Sequence, residues 1–108
     1  MRVIDTNASP ICAAEVVLRI LRGRWAMPVM VTIVEHGPIY FGAIERTVKG
    51  VSAKALAEQL RFFQKAGVII GTPSENRREV YYELTNRGRA LKSALDELND
   101  LARRWPDL

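Results

Sequence analysis

The sequence predicts a mainly α-helical domain that carries one small β-hairpin, and three observations predict it. Apolar residues recur at helical spacing in several stretches. Two short runs, Val68-Ile69-Ile70 and Val80-Tyr81-Tyr82, have the β-branched and aromatic character of strands. Ser, Thr, Gly and Pro fall where helices start and stop. At 108 residues the chain fits a single domain over 1–108, with terminal helices that need a partner.

Ser9-Pro10 opens the first helix: serine caps free amides and proline suits the first turn. Val16, Val17, Ile20 and Leu21 form its apolar stripe, which ends near Gly23. A second helix covers about 27–35, with Pro28 tolerated in its first turn and Gly37-Pro38 closing it. Tyr40 and Phe41 lead into a short helix at 42–48, which stops around Lys49-Gly50. Ser52 is the next N-cap. Behind it, Leu56, Leu60 and Phe63 define a buried face, while Lys54, Glu58, Arg61 and Lys65 share the opposite one at about 100° per residue. Gly67 ends this helix where a left-handed residue is favoured. The two strands follow, connected by residues 71–79, in which Pro73, Ser74 and Asn76 are turn formers and Arg77-Arg78 sit near the end. Thr85 caps a last helix running to about 104, with an apolar stripe of Leu91, Leu95, Leu98, Ala102 and Trp105.

Composition narrows the class. The chain is 48% hydrophobic and 26% charged, as in globular rather than disordered proteins. The longest apolar run, 27–34, is broken by Pro28 and Thr32 and falls far short of the roughly 18–20 residues of a membrane span. No signal-peptide core follows Arg2 and Asp5, so no export and no membrane partner are expected. One cysteine, Cys12, and one histidine, His36, give neither a disulfide framework nor a zinc site. A cytoplasmic protein without metal or cofactor is expected. The net charge of +4 is a mild bias toward polyanionic partners.

Two helices joined by a tight turn and followed at once by a hairpin make a winged helix-turn-helix. The helix over about 52–66 would enter the major groove, where base edges offer hydrogen-bond patterns that charged side chains read. Lys54, Glu58, Arg61 and Lys65 are the candidate base or phosphate contacts, and Ala55 can touch a thymine methyl. Ser52 can hold a phosphate with the local amides. Arg77 and Arg78, on a wing at 71–79, suit phosphates or the minor groove. Each feature has a plainer alternative: a solvated helix face, or turn arginines that keep a strand edge soluble. Their order along residues 51–85 favours double-stranded DNA as the partner.

The chain resembles the HxlR-type winged-helix transcriptional regulators, relatives of the MarR group, from Cys12 to about Trp105. The resemblance lies in Cys12 with Glu15, Gly23-Arg24-Trp25, Gly37-Pro38 with Phe41, Val51-Ser52-Ala53-Lys54 with Leu56 and Leu60, Gly67-Val68-Ile69, and Tyr82-Glu83-Leu84-Thr85 with Gly88. Departures are Ala13 in place of proline, Glu58-Gln59 in place of Gln-Arg, and a wing without a proline-rich segment. The resemblance implies a homodimer, intertwined or helix-packed, that addresses a near-palindromic operator as a regulator, in the first instance a repressor. Val17, Ile20, Leu91, Leu95, Leu98 and Trp105 are the candidate interface, because one small domain has too little core to cover both stripes. The alternative is a last helix folded back on its own domain.

Cys12 falls in the first turn of a helix, where unpaired amides and the dipole favour a thiolate. Family members that resemble redox or electrophile sensors use a cysteine at this place, which implies a redox or small-molecule effector; a small buried core residue is the alternative. His36 suits a helix C-terminus, and Trp25 suits the core or an interface better than base stacking. An enzyme is not expected, since no paired carboxylates, nucleophile–base set or phosphate-cradling loop occurs. The competing function is a winged-helix protein-interaction module that has lost specific DNA binding, motivated by Glu58 and the altered wing.

Overall fold

Pro10 and the apolar residues after it begin α1 (Pro10–Ile20) in a computed structural model, which describes residues 10–108 and the side chains from Ala13 onward. The expected Ser9 cap lies outside the described residues. There follow α2 (Ala26–His36), β1 (Ile39–Tyr40), α3 (Phe41–Thr47), α4 (Ala53–Lys65), β2 (Ile69–Pro73), β3 (Val80–Leu84) and α5 (Asn86–Arg103). Among the described residues no helix is long and apolar enough to cross a membrane.

The core forms where the helical stripes meet. Val29, Met30 and Ile33 of α2, Ile44 of α3, and Leu56, Leu60 and Phe63 of α4 are almost fully buried, joined by Val68, Ile69 and Leu91. Thr32, the buried polar residue in this set, donates its hydroxyl to Pro28 O at 2.8 Å and so buries no unsatisfied group.

The strands form one antiparallel sheet in the order β1-β3-β2, with Ile39 opposite Tyr82 and Tyr40 opposite Tyr81. β1 was not expected: two residues carry no periodicity, and their pairing lies some forty residues away along the chain. The hairpin differs from the expected one at both ends. Val68 precedes β2, and residues 71–73, expected in the connection, are paired strand, with Pro73 opposite Val80. Pro73 is tolerated because β2 is an edge strand. The unpaired wing tip therefore shrinks from 71–79 to 74–79.

The caps of α4 and α5 are as expected. Ser52 Oγ accepts from Ala55 N at 3.0 Å, and Gly67 ends the helix with φ 78°. Thr85 Oγ1 accepts from Gly88 N at 3.1 Å and donates to Gly67 O at 2.6 Å, which ties the start of α5 to the end of α4. Only the first half of α5 packs on its own domain. Leu91 is buried and Leu95 half-buried, but Leu98 is 51% exposed. Leu91, expected at a dimer interface, thus belongs to the core of its own chain, because it lies one turn from the tethered helix start. Trp105 lies beyond the last turn of α5 and is exposed.

Candidate nucleic-acid interface

Ile44 is fully buried and anchors α3 against the core, so the turn at 48–52 is short and well determined. Val48 N donates to Ile44 O, and Gly50 takes φ 90°, a conformation that strains a side-chain-bearing residue. The chain then enters α4 with Leu56, Leu60 and Phe63 held down and Lys54, Glu58, Arg61 and Lys65 exposed together. The hydrophobic face thereby decides which side chains meet solvent. Ala55 is half-buried beside them. Ser52 is exposed; its oxygen accepts the capping bond, which leaves the hydroxyl proton free to donate outward.

The wing tip is a built turn. Ser74 N donates to Glu79 O at 2.8 Å and Arg77 N to Ser74 O at 3.0 Å. Asn76 Oδ1 accepts from Ser74 Oγ at 2.8 Å and from Arg78 N at 3.0 Å. Arg77 has φ 60°, which costs an ordinary L-residue about 1–2 kcal/mol. Arg77 and Arg78 are both exposed. Among the described residues, none of Lys54, Arg61, Lys65, Arg77 and Arg78 is ion-paired with a carboxylate. Such cations are available for phosphates, and each one engaged would release counterions.

Arg46 and Gln64, near this surface, were not singled out by sequence, and Tyr82 was read there only as a strand and family-motif residue. Arg46 of α3 donates to Tyr40 Oη at 3.0 Å, with Tyr40 edge-on to Tyr81. Tyr82 lies on β3 opposite Gly71, and Gln64 approaches the same point from α4. Burial raises the pKa of Tyr82, partly offset by the Arg61 guanidinium. No pattern along the chain marks Gln64 or brings it to Tyr82, since the two meet only through the packing of α4 on the hairpin. A phenol with a raised pKa in the folded state stabilises fully below the unfolded value and loses that contribution as pH rises through the folded one. Stability should therefore be flat in this respect at neutral pH and fall above about pH 10. Tyr82→Phe should flatten that alkaline limb in urea titrations, and an unchanged limb would show that Tyr82 is not its source.

Trp25 is half-buried against the core with the Arg24 guanidinium 4.8 Å from its ring, so it serves packing. His36 is the last residue of α2 and exposed. Away from α4, Val16, Val17 and Ile20 of α1 face Ala90, Leu91 and Ala94 of α5 across an open, mostly apolar groove of about 390 Å³. Val17, Leu18 and Leu98 remain exposed on these helices. Cys12 lies in the first turn of α1, as expected, and its side chain lies outside the described residues.

A sequence model of the HxlR-like helix-turn-helix family matches residues 20–108. The chain is 29% identical over 103 residues to the uncharacterized HTH-type transcriptional regulator YvaP of Bacillus subtilis, covering 94% of each chain. It is similar in fold to a protein of Enterococcus faecalis V583 assigned to the MarR family of transcriptional regulators, with a TM-score of 0.82, 22% identity, and coverage of 99% of this chain and 94% of that one. It is also similar to the reduced form of the transcriptional regulator YodB of B. subtilis, with a TM-score of 0.75, 27% identity, and coverage of 85% and 90%.

Proposed function

The chain belongs to the HxlR-like helix-turn-helix family and is a DNA-binding transcriptional regulator; from that premise we propose that it acts as a homodimeric repressor on a near-palindromic operator. Each protomer lays α4 in the major groove, with Lys54, Glu58, Arg61 and Lys65 toward bases and phosphates and Ala55 toward a methyl group. Ser52 holds a phosphate at the helix start. Arg77 and Arg78 follow the backbone or minor groove from the wing. The observation that carries this reading is the single exposed, cation-rich face of α4 beside a wing whose tip presents two more arginines. A cytoplasmic location accords with such a role, which calls for no catalytic group and no membrane.

The dimer is supported by apolar surface that one chain leaves uncovered. Val17, Leu98 and Trp105, with the half-buried Ile20 and Leu95, lie on the terminal helices or just beyond them. Exposed apolar side chains on two terminal helices are the kind of surface that association covers. Two-fold pairing through it presents the two α4 helices to two half-sites.

Gel shifts against genomic fragments at stated salt test the reading. A discrete complex with a dissociation constant in the range of about 10⁻⁸–10⁻¹¹ M is expected. Binding that never exceeds the nonspecific level, even at low salt, would instead favour a winged-helix protein-interaction module, as Glu58 on the α4 face allows.

We further propose that Cys12 tunes this binding. YodB has been observed in reduced and diamide-treated forms. In this chain two Cys12 thiols, one per protomer, would form a disulfide as diamide takes up their two electrons and two protons, or one thiolate would add to a quinone. Cys12→Ser should abolish the diamide and quinone response while leaving untreated operator affinity within about twofold. A retained response would remove Cys12 from the mechanism.

A further inference from the structure

Gly71 lies in β2 with φ outside the left-handed region, so its backbone conformation does not demand glycine. Space demands it. A Cβ there would stand 3.0 Å from Tyr82 Cε1, 3.1 Å from Gln64 Nε2 and 3.1 Å from Val80 Cγ1. Side chains from α4 and β3 therefore converge on one point of β2 where no side chain separates them. The convergence occurs midway along the hairpin. On one side Ile69 is buried in the core; on the other, beyond Pro73, the 74–79 tip projects with Arg77 and Arg78.

A two-stranded hairpin by itself is marginally stable and free to twist. β1 steadies β3 only at Tyr81 and Tyr82. From α4 the exposed Gln64 side chain reaches the same point in the middle of the wing, with its amide nitrogen beside the Gly71 backbone. Gln64 lies one turn beyond Arg61 on α4, and the Arg61 charge reaches the same Tyr82 phenol.

We propose that Gln64 and Tyr82 are positioning residues that lock the wing to α4 across the Gly71 notch, so that the cations of the wing tip and of α4 meet DNA as one rigid surface. The proposal rests on the reading of α4 and the wing as the DNA-binding elements. Ordinary packing of the hairpin on the body would stabilise the fold equally but would not couple the wing arginines to the rest of the interface. That coupling separates the two.

The test uses the full-length protein and the tightest-binding genomic duplex recovered by selection. In the wild-type background the Arg77→Ala/Arg78→Ala pair should weaken binding about tenfold and make log K less steep in log salt by about one unit per lost phosphate contact. Gly71→Val drives a branched side chain into the notch and should weaken binding by a similar factor. In that background the arginine pair should have almost no further effect, because the wing no longer reaches its phosphates in register. Gln64→Ala removes an exposed side chain beyond Cβ and makes the same test where Gly71→Val does not fold. Folded Gly71→Val and Gln64→Ala proteins with wild-type affinity, or with arginine effects that simply add, would overturn the lock. An unchanged affinity in Arg61→Ala would instead overturn the assignment of α4 as the DNA-binding helix, a different result.

Discussion

Replacing Gly88 by alanine should lower the stability of the domain by at least about 3 kcal/mol or prevent folding, although glycine-to-alanine within a helix is ordinarily stabilising by about 0.5–1 kcal/mol. The sign reverses because of what lies above the residue. A Cβ on Gly88 would fall 2.0 Å from Val68 O and 3.1 Å from Leu84 Cδ2. Val68 O cannot withdraw freely, since it accepts from Thr85 N at 3.0 Å. Around it Thr85 Oγ1 donates to Gly67 O and Arg87 Nη1 donates to Ala66 O at 3.1 Å, so the end of α4 is held to the start of α5 by several bonds at once. Relieving the clash separates the two segments. Each lost hydrogen bond costs about 1 kcal/mol, overpacking strain adds about 1–3 kcal/mol, and Val68 and Leu91 lose cover. Thermal denaturation should show a Tm lowered by more than about 12 °C for a domain of this size. A Gly88→Ala protein as stable as the wild type would show that the close approach of α5 to Val68 is wrong.

The second large effect is on DNA. On the proposed reading, Arg61→Ala should weaken operator binding by about 10- to 100-fold and relax selectivity at one base pair, the range expected for one base contact worth about 1–3 kcal/mol. Lys54→Ala, if it touches phosphate, should weaken binding to all sequences alike and reduce the salt dependence by about one unit. Glu58→Gln should act in the opposite direction, tightening binding to unrelated DNA at low salt, because it removes a negative charge from the face of α4 proposed to meet phosphates. Competition gel shifts at two salt concentrations measure all three. If Arg61→Ala leaves both affinity and selectivity intact, α4 does not read the operator.

Both predictions depend on residues whose legibility in the sequence differs. Lys54, Glu58, Arg61 and Lys65 could be placed on one face from spacing alone, because Leu56, Leu60 and Phe63 impose the helical period that orients them. Ser52, Gly67 and Thr85 were legible as caps because capping is local, a matter of three or four residues. Gly88 was recognisable only as part of a family motif; its necessity comes from Val68, some twenty residues away. The same holds for Gly71, where spatial crowding by Gln64, Val80 and Tyr82 has no counterpart in any local pattern. Pro73 misled in the other direction. Its turn propensity suggested a loop, and the position of β2 at the sheet edge allowed it to stay in the strand.

The sequence by itself determined the order of the five helices and the two hairpin strands and the exposed face of α4, the same face whose cations nominate the molecule as a DNA-binding regulator. Hydrophobic period and cap chemistry act over a few residues and need no knowledge of the rest of the chain. Only the tertiary structure decided the pairing of β1 with β3, the six-residue wing tip, the burial of Leu91 and the ties between α4, the wing and α5. Those features are contacts between distant segments. Their energies depend on backbone approach and side-chain space that exist only once the core has closed.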